Sequence, residues 1–213
     1  MYNDDTTLDY PTYMPLAVLE PVQKVERRLT LQAYLRREEK NEGLAFNEYY
    51  NGVITKLPLT TAPHNIITVN ISAALKYGLK LTHKIYRIRL AQQLVYLPKL
   101  NVALYPDALV VSDTPQYFDK NEVLLINPIL IVEVLSKGTK KYDRTDKFDE
   151  YRTLDSFREY VLIDQKRCHI ELRYREAPDT WHYSEVTDMK GIILLKSLGL
   201  SIAVADIYDN IKV

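Results

Sequence analysis

Three residues in the middle of the chain, Asp107, Glu133 and Lys147, have the types and surroundings for chemistry on a phosphate. Asp107 follows Tyr105-Pro106 and leads into Ala-Leu-Val-Val-Ser, and Glu133 interrupts Pro-Ile-Leu-Ile-Val-Glu-Val-Leu-Ser. A carboxylate inside an apolar strand is costly unless a partner or a cation meets its charge. Two of them, on strand-like segments suited to pairing, suggest a divalent metal site, and carboxylate oxygens are the ligands Mg²⁺ prefers. Asp143, Lys147 and Tyr151 recur every four residues, so one helix face carries all three and can direct the lysine toward the carboxylates. A metal to offset charge, an activated water and a group to steady the transition state are what phosphodiester hydrolysis requires. Each residue also has a plain structural reading. Asp107 fits a turn after proline, and Asp143–Lys147 fits an ion pair on a solvated helix face. Glu133, set among aliphatic residues, has no ordinary structural reason.

Composition narrows the setting. The 213 residues suit one large domain, with residues 1–28 as an N-terminal arm and 29–213 as the folded unit. Lys+Arg and Asp+Glu both total 28, so tight nonspecific binding of nucleic acid is disfavoured unless basic residues cluster locally. Lys137, Lys140, Lys141 and Arg144 form such a cluster just after Glu133. No apolar run reaches the roughly 20 residues of a membrane span, and the N-terminus lacks a signal-peptide pattern. The single cysteine, Cys168, excludes an internal disulfide and a multi-cysteine zinc site, so a reducing, cytoplasmic setting is expected.

The elements that must position these residues are readable by period. Leu31, Tyr34 and Leu35 mark a helix after Thr30, with Gly43 as its stop. Residues 46–57 read as a hairpin turning at Asn51-Gly52. A helix follows over about 64–80, with Ile66, Ile67, Val69, Ile71, Ala74, Leu75 and Leu79 as its apolar positions. Strands are expected at 86–90, 93–97, 108–112 and 129–135, the last buried on both faces and central. A helix over 141–153 precedes strands at 159–164, 169–175, 181–186 and 192–195, and a short helical turn near 204–208 closes the chain. This is one α/β domain around a mixed sheet.

Taken together, the motifs around Asp107, Glu133 and Asp143-x-x-x-Lys147-x-x-x-Tyr151, followed by Arg158-Glu-Tyr-Val-Leu-Ile-Asp164, resemble the Uma-type endonuclease family of the PD-(D/E)XK superfamily. The similarity extends back to Asn47-Glu48-Tyr-Tyr-Asn-Gly52 and to His64 at a helix start. It implies a restriction endonuclease-like mixed β-sheet flanked by helices, Mg²⁺ (or Mn²⁺) held by Asp107 and Glu133, and Glu48 as a further acidic member of the metal and catalytic set. The superfamily pattern would place lysine at 135, where this chain has Leu135; the resemblance carries that role to Lys147 on the helix. His64, Lys137 and Tyr151 are candidate substrate contacts, although a histidine at a helix start also fits a cap or a partly exposed residue.

The leading function is a Mg²⁺-dependent endonuclease acting on DNA. The alternative is a catalytically inactive nuclease fold that binds nucleic acid or protein. A homodimer through the N-terminal arm is compatible with either. His169 and His182 lie in late strands without metal-ligand spacing, Ser112 and Ser136 have no histidine partner for nucleophilic catalysis, Cys168 reads as a buried strand residue, Trp181 as sheet packing, and the six glycines form no phosphate loop.

Overall fold

Strand β8 (Pro128–Leu135) carries one charge in eight residues and forms the middle of the main sheet. It pairs parallel with β9 (Glu159–Asp164) and antiparallel with β6 (Ala108–Ser112). Beyond β9 lie β10 (Ile170–Ala177) and β11 (Thr180–Val186), and beyond β6 lies β3 (Tyr86–Leu90), completing a six-stranded mixed sheet. The computed structural model describes residues 28–40, 46–82, 85–90 and 92–213. The expected arm and the dimer contact assigned to it lie outside the described residues, save Arg28, as does Gly43.

Both faces of β8 are covered, which is why its aliphatic run is nearly continuous. On one face α2 (Ala62–Leu81) lays Ile67, Ile71, Leu75 and Leu79 against Val110, Leu130, Val132 and Val134. Ile66 and Val69, read as apolar-face positions, point outward because about 100° per residue carries them off that narrow stripe. The helix begins at Thr61, whose hydroxyl accepts from the His64 N–H at 3.3 Å, with Pro63 in the first turn. The two-stranded sheet of β12 (Ile192–Leu195) and β13 (Leu200–Ala203), with α5 (Val204–Ile207), completes this core.

The opposite face packs Leu109, Ile131, Leu135 and Leu162 against a second sheet of five strands. That sheet comprises β1 (Asn47–Tyr50), β2 (Val53–Lys56), β4 (Leu94–Leu97), β5 (Val102–Leu104) and β7 (Leu124–Leu125). Its far side is covered by α1 (Leu31–Lys40) through Tyr34, which is stacked on Tyr49 at 5.2 Å between centroids. β5, β7 and β13 have no counterpart in the sequence reading; β5 and β7, at three and two residues, are too short to display alternation. Among the described residues no helix is long and apolar enough to cross a membrane.

The helix expected over 141–153 is two helices, α3 (Lys140–Arg144) and α4 (Asp146–Tyr151), broken at Thr145. In an unbroken helix the carbonyls of Asp143 and Arg144 would accept from the N–H groups of residues 147 and 148. Here Tyr160 donates its hydroxyl hydrogen to the Asp143 carbonyl at 3.0 Å, and Arg173 donates to the Arg144 carbonyl at 2.7 Å. Side chains from β9 and β10 thus replace the helical ladder and bend the segment.

The β1–β2 hairpin turns at Asn51 and Gly52, with φ of 45° and 100°, as its Asn-Gly pair predicts. A Cβ on Gly52 would lie 2.6 Å from the Cβ of Arg28. Gly52→Ala is therefore expected to cost about 1–3 kcal/mol, seen as a lower midpoint in denaturant unfolding. An unchanged midpoint would contradict the strain.

Candidate active site

The antiparallel register that pairs Ala108 with Val132 brings Asp107, one step further, opposite Glu133. Alternation along both strands puts the two acids on the face that carries Leu109, Ile131 and Leu135. Asp107 Oδ2 accepts from the Val134 N–H at 2.7 Å and lies 3.2 Å from His64 Nε2. Glu133 Oε1 accepts from Lys147 Nζ at 2.8 Å and from the Tyr151 hydroxyl at 3.3 Å. The Lys147 ammonium also stands 3.4 Å from Glu48 Oε1 and 4.0 Å from Asp143 Oδ1, and it donates to the Tyr105 carbonyl at 3.3 Å. Lys147 is only 4 % exposed, so this is an interior cluster and the solvated ion pair is ruled out.

A cavity of about 90 Å³ opens over this cluster, lined in part by His64, Asp107, Glu133, Asp143, Lys147 and Gln165. His64 is thus a buried wall residue held to Asp107, neither a cap side chain nor a partly exposed one. Tyr151, expected as a substrate contact, is fully buried behind Glu133 and does not line the cavity; its hydroxyl orients that carboxyl instead. Lys137 is exposed and lines a neighbouring groove. Leu135, at the superfamily's lysine position, is buried in the core, and it is Lys147 whose ammonium reaches Glu133. Glu48 is turned away from the cavity. Its Oε1 accepts from the Tyr105 N–H at 3.2 Å and faces Lys147, and its Oε2 accepts from the Tyr50 hydroxyl at 2.6 Å.

Sequence reasoning missed Gln165, which follows β9 and lines the cavity. Its amide donates to the Leu135 carbonyl at 3.0 Å and its oxygen accepts from Thr61. A polar Asp164-Gln165 pair directly after the apolar run of residues 160–163 was the available signal. Glu159 shows the opposite case, a strand carboxylate with a purely structural task. It accepts from the Lys196 and Ser197 N–H groups at 3.0 Å each and from the Ser197 hydroxyl at 2.6 Å.

The charges do not balance within the cluster. One ammonium serves the buried carboxyls of Glu48, Glu133 and Asp143, while His64 serves Asp107. Burial pushes Glu133 well up from its ordinary value; Lys147 opposes that, and Asp107 and Asp143 add to it. Burial likewise pushes Asp143 up to about 6, against the pull of Lys147 and Thr139. For Lys147 burial favours the neutral amine, but Glu133, Glu48 and Asp143 outweigh it and hold the ammonium charged. Burial also favours neutral His64, and the bond and charge of Asp107 raise it nonetheless. The site therefore holds surplus acid capacity that a proton or a cation can meet.

A hard divalent cation fits this donor set. Asp107 and Glu133 offer carboxylate oxygens to the cavity, and the surplus negative charge is of the right sign. Among the described residues no three His, Cys, Asp or Glu side chains form a ready-made cage. A two-carboxylate site completed by water is the usual arrangement for Mg²⁺.

The mixed sheets flanked by a few helices form a restriction endonuclease-like fold. A solved structure described as a "putative nuclease belonging to DUF820" from Anabaena variabilis shares that fold, with a TM-score of 0.62 at 18% identity, covering 76% of this chain and 89% of that one. The family model described as "Uma2: Putative restriction endonuclease" matches residues 31–205, and the chain belongs to that family. Two uncharacterized proteins of Synechocystis sp. are relatives. One is 31% identical over 165 residues, 78% of this chain and 85% of its own length. The other is 27% identical over 192 residues, 86% and 93% respectively.

Replacing Lys147 by Met leaves buried carboxyls without their ammonium, which costs about 3–5 kcal/mol. Acids whose pKa is raised in the fold bind protons that the unfolded chain has already released, so stability falls as pH rises through that window. For Asp143 the window runs from 3.8 to about 6, and Glu133 extends it upward. The Lys147→Met deficit, measured by urea unfolding, is expected to be small at pH 5 and full at pH 8. Wild-type stability at pH 8 would disprove the ionic role.

Proposed function

We propose that the chain is a Mg²⁺-dependent endonuclease that hydrolyses phosphodiester bonds of DNA, with Mn²⁺ able to substitute. The observation that carries this reading is the surplus of buried carboxyl groups over ammonium groups at an open cavity, which a purely structural cluster would not need. Asp107 and Glu133 would hold the ion, which when bound offsets phosphate charge and makes a coordinated water more acidic. We assign Glu48 to holding Lys147, since hydrogen-bond donors already occupy both its oxygens. Lys147, kept charged by Glu133, Glu48 and Asp143, supplies a fixed positive charge for the oxygens that become more negative as water attacks phosphorus. His64 fixes the orientation of Asp107, and Tyr151 that of Glu133.

A neighbouring groove of about 490 Å³ supports DNA as the substrate. It shares Ser136 with the cavity and is lined by Lys137, Lys140, Arg144, Lys166 and Arg167 against one acid, Asp164. Arg144 is paired with Glu171 and Arg167 with Asp164. That leaves the exposed Lys137, Lys140 and Lys166 for backbone phosphates, a local basic track on a chain with no net charge. The lone Cys168 fits a cytoplasmic setting. One observation favours the catalytically inactive binding module: the ammonium of Lys147 already satisfies one oxygen of Glu133.

With Mg²⁺ or Mn²⁺ and plasmid or linear DNA, Glu133→Gln and Asp107→Asn are each expected to lower turnover by about 10²–10³-fold. The fold should survive Glu133→Gln, because Lys147 keeps Glu48 and Asp143. No cleavage by the wild type with either metal, across several DNA forms, would move the reading to the binding module. In DNA-binding titrations, replacing Lys137, Lys140 or Lys166 by Ala should each reduce the salt slope by about 1, and an unaltered slope would remove the groove from the DNA path.

A further inference from the structure

From Glu48, on the side away from the cavity, a row of oxygens leads outward. The Tyr50 hydroxyl lies 2.6 Å from Glu48 Oε2 and 2.6 Å from the Tyr142 hydroxyl, which lies 2.7 Å from Glu150 Oε2. Oxygen–oxygen contacts this short require a hydrogen in each. Three contacts need three hydrogens, and the two phenols bring one apiece. If both carboxyls were ionised, Tyr50 would donate to Glu48, Tyr142 would donate to Glu150, and bare lone pairs would face each other between the tyrosines. The third hydrogen belongs on a carboxyl. Glu48 Oε1 already faces the Lys147 ammonium and accepts from the Tyr105 N–H, so the third hydrogen is placed on Glu150. Glu150 is half-buried near the end of α4.

We propose that Glu150, Tyr142 and Tyr50 form a proton relay between Glu48, beside Lys147, and solvent, with Glu150 holding the exchangeable proton. Inward, Glu150 gives its hydrogen to the Tyr142 oxygen, Tyr142 gives its own to the Tyr50 oxygen, and Tyr50 gives its own to Glu48 Oε2. Three O–H bonds break and three form, leaving Glu150 ionised and Glu48 neutral. The reverse sequence carries one proton outward.

The surroundings of Glu150 fit this role. Burial raises its pKa most, a hydrogen bond donated by Tyr142 to the ionised form lowers it, Glu48 and Asp146 raise it and Lys147 lowers it, for a result of about 7. Glu48 is turned away from the cavity, so in catalysis, and resting on the hydrolase reading, the relay acts through Lys147, by setting the proton content of a carboxyl that holds its ammonium.

Carboxyl NMR of the glutamate-labelled chain tests the hydrogen count without any assay of cleavage, with Glu150 assigned by its loss in Glu150→Gln. The wild-type Glu150 carboxyl should titrate near neutrality. In Tyr50→Phe the one remaining contact needs only the Tyr142 hydrogen, so the Glu150 midpoint should fall by about one unit or more. An unmoved midpoint means burial alone set it and overturns the relay.

If Tyr50→Phe does not fold, Tyr142→Phe decides: loss of the oxygen that holds the Glu150 hydrogen should lower the Glu150 midpoint, whereas with burial alone the loss of the hydrogen bond donated by Tyr142 should raise it, and a rise would overturn the relay. Glu150→Gln checks that Glu150 is the group that titrates. Its amide supplies an N–H to Tyr142 at every pH. Wild-type Glu150 keeps a proton in the fold that the unfolded chain releases near its ordinary 4.5, so stability drops as pH rises from there to about 7. Glu150→Gln should lose that part of the dependence, and superimposable stability curves would overturn the proposal. If the wild type cleaves DNA, Glu150→Gln should alter the pH profile of turnover near neutrality while its Mg²⁺ affinity, by calorimetry, stays within about twofold. Absence of all cleavage would refute the hydrolase reading, and the NMR result would still decide the relay.

Discussion

The rest of the structure depends on one buried ammonium. Lys147 draws together Glu48 from the second sheet, Glu133 from the main sheet and Asp143 from the crossover helix. Each carboxyl would be expensive in the interior by itself, and the attraction offsets that cost only with short contacts and satisfied remaining donors. The ammonium also donates to the Tyr105 carbonyl. The two sheets and the crossover are therefore tied at one point, and that point forms the floor of the cavity.

Lys147 lies just past the break in the crossover helix. Tyr160 and Arg173 capture the carbonyls of Asp143 and Arg144, and the bend turns the start of α4 inward. The same two residues hold the helix by their faces as well as their polar atoms. The Tyr160 ring is stacked on Phe148 at 5.5 Å, and the Arg173 guanidinium lies 4.5 Å from the Phe148 ring centre. An Arg over an aromatic face, partly freed from water, favours one fixed arrangement. A core contact of β9 and β10 thereby becomes a positioning device for the site.

Comparison with relatives separates what the fold carries from what the site carries. At 18% identity the Anabaena variabilis structure shares the fold, and a fold alone does not specify chemistry. Within this chain the contrast of Glu133 with Glu159 makes the same point. Both are acids in apolar strands, yet Glu159 is spent on backbone N–H groups while Glu133 faces a cavity and an ammonium.

Local pattern determined much of the molecule. Aliphatic runs with β-strand period marked most of the main sheet, Asn51-Gly52 marked the hairpin, and acids inside those runs marked Asp107 and Glu133. Four-residue spacing tied Asp143, Lys147 and Tyr151 together, and the three remain buried on either side of the break at Thr145. Such signals are legible because they depend on neighbours in sequence. Other features arose only when distant segments met: the break itself, the very short strands, the retreat of Tyr151 from the cavity, the hold of His64 on Asp107 and the place of Gln165 in the cavity lining. The surplus of acid over ammonium and the oxygen row joining Tyr50 to Tyr142 belong to the same group. These depend on which side chains face each other across packed layers and on what burial does to their charges, and no periodicity along the chain records either quantity.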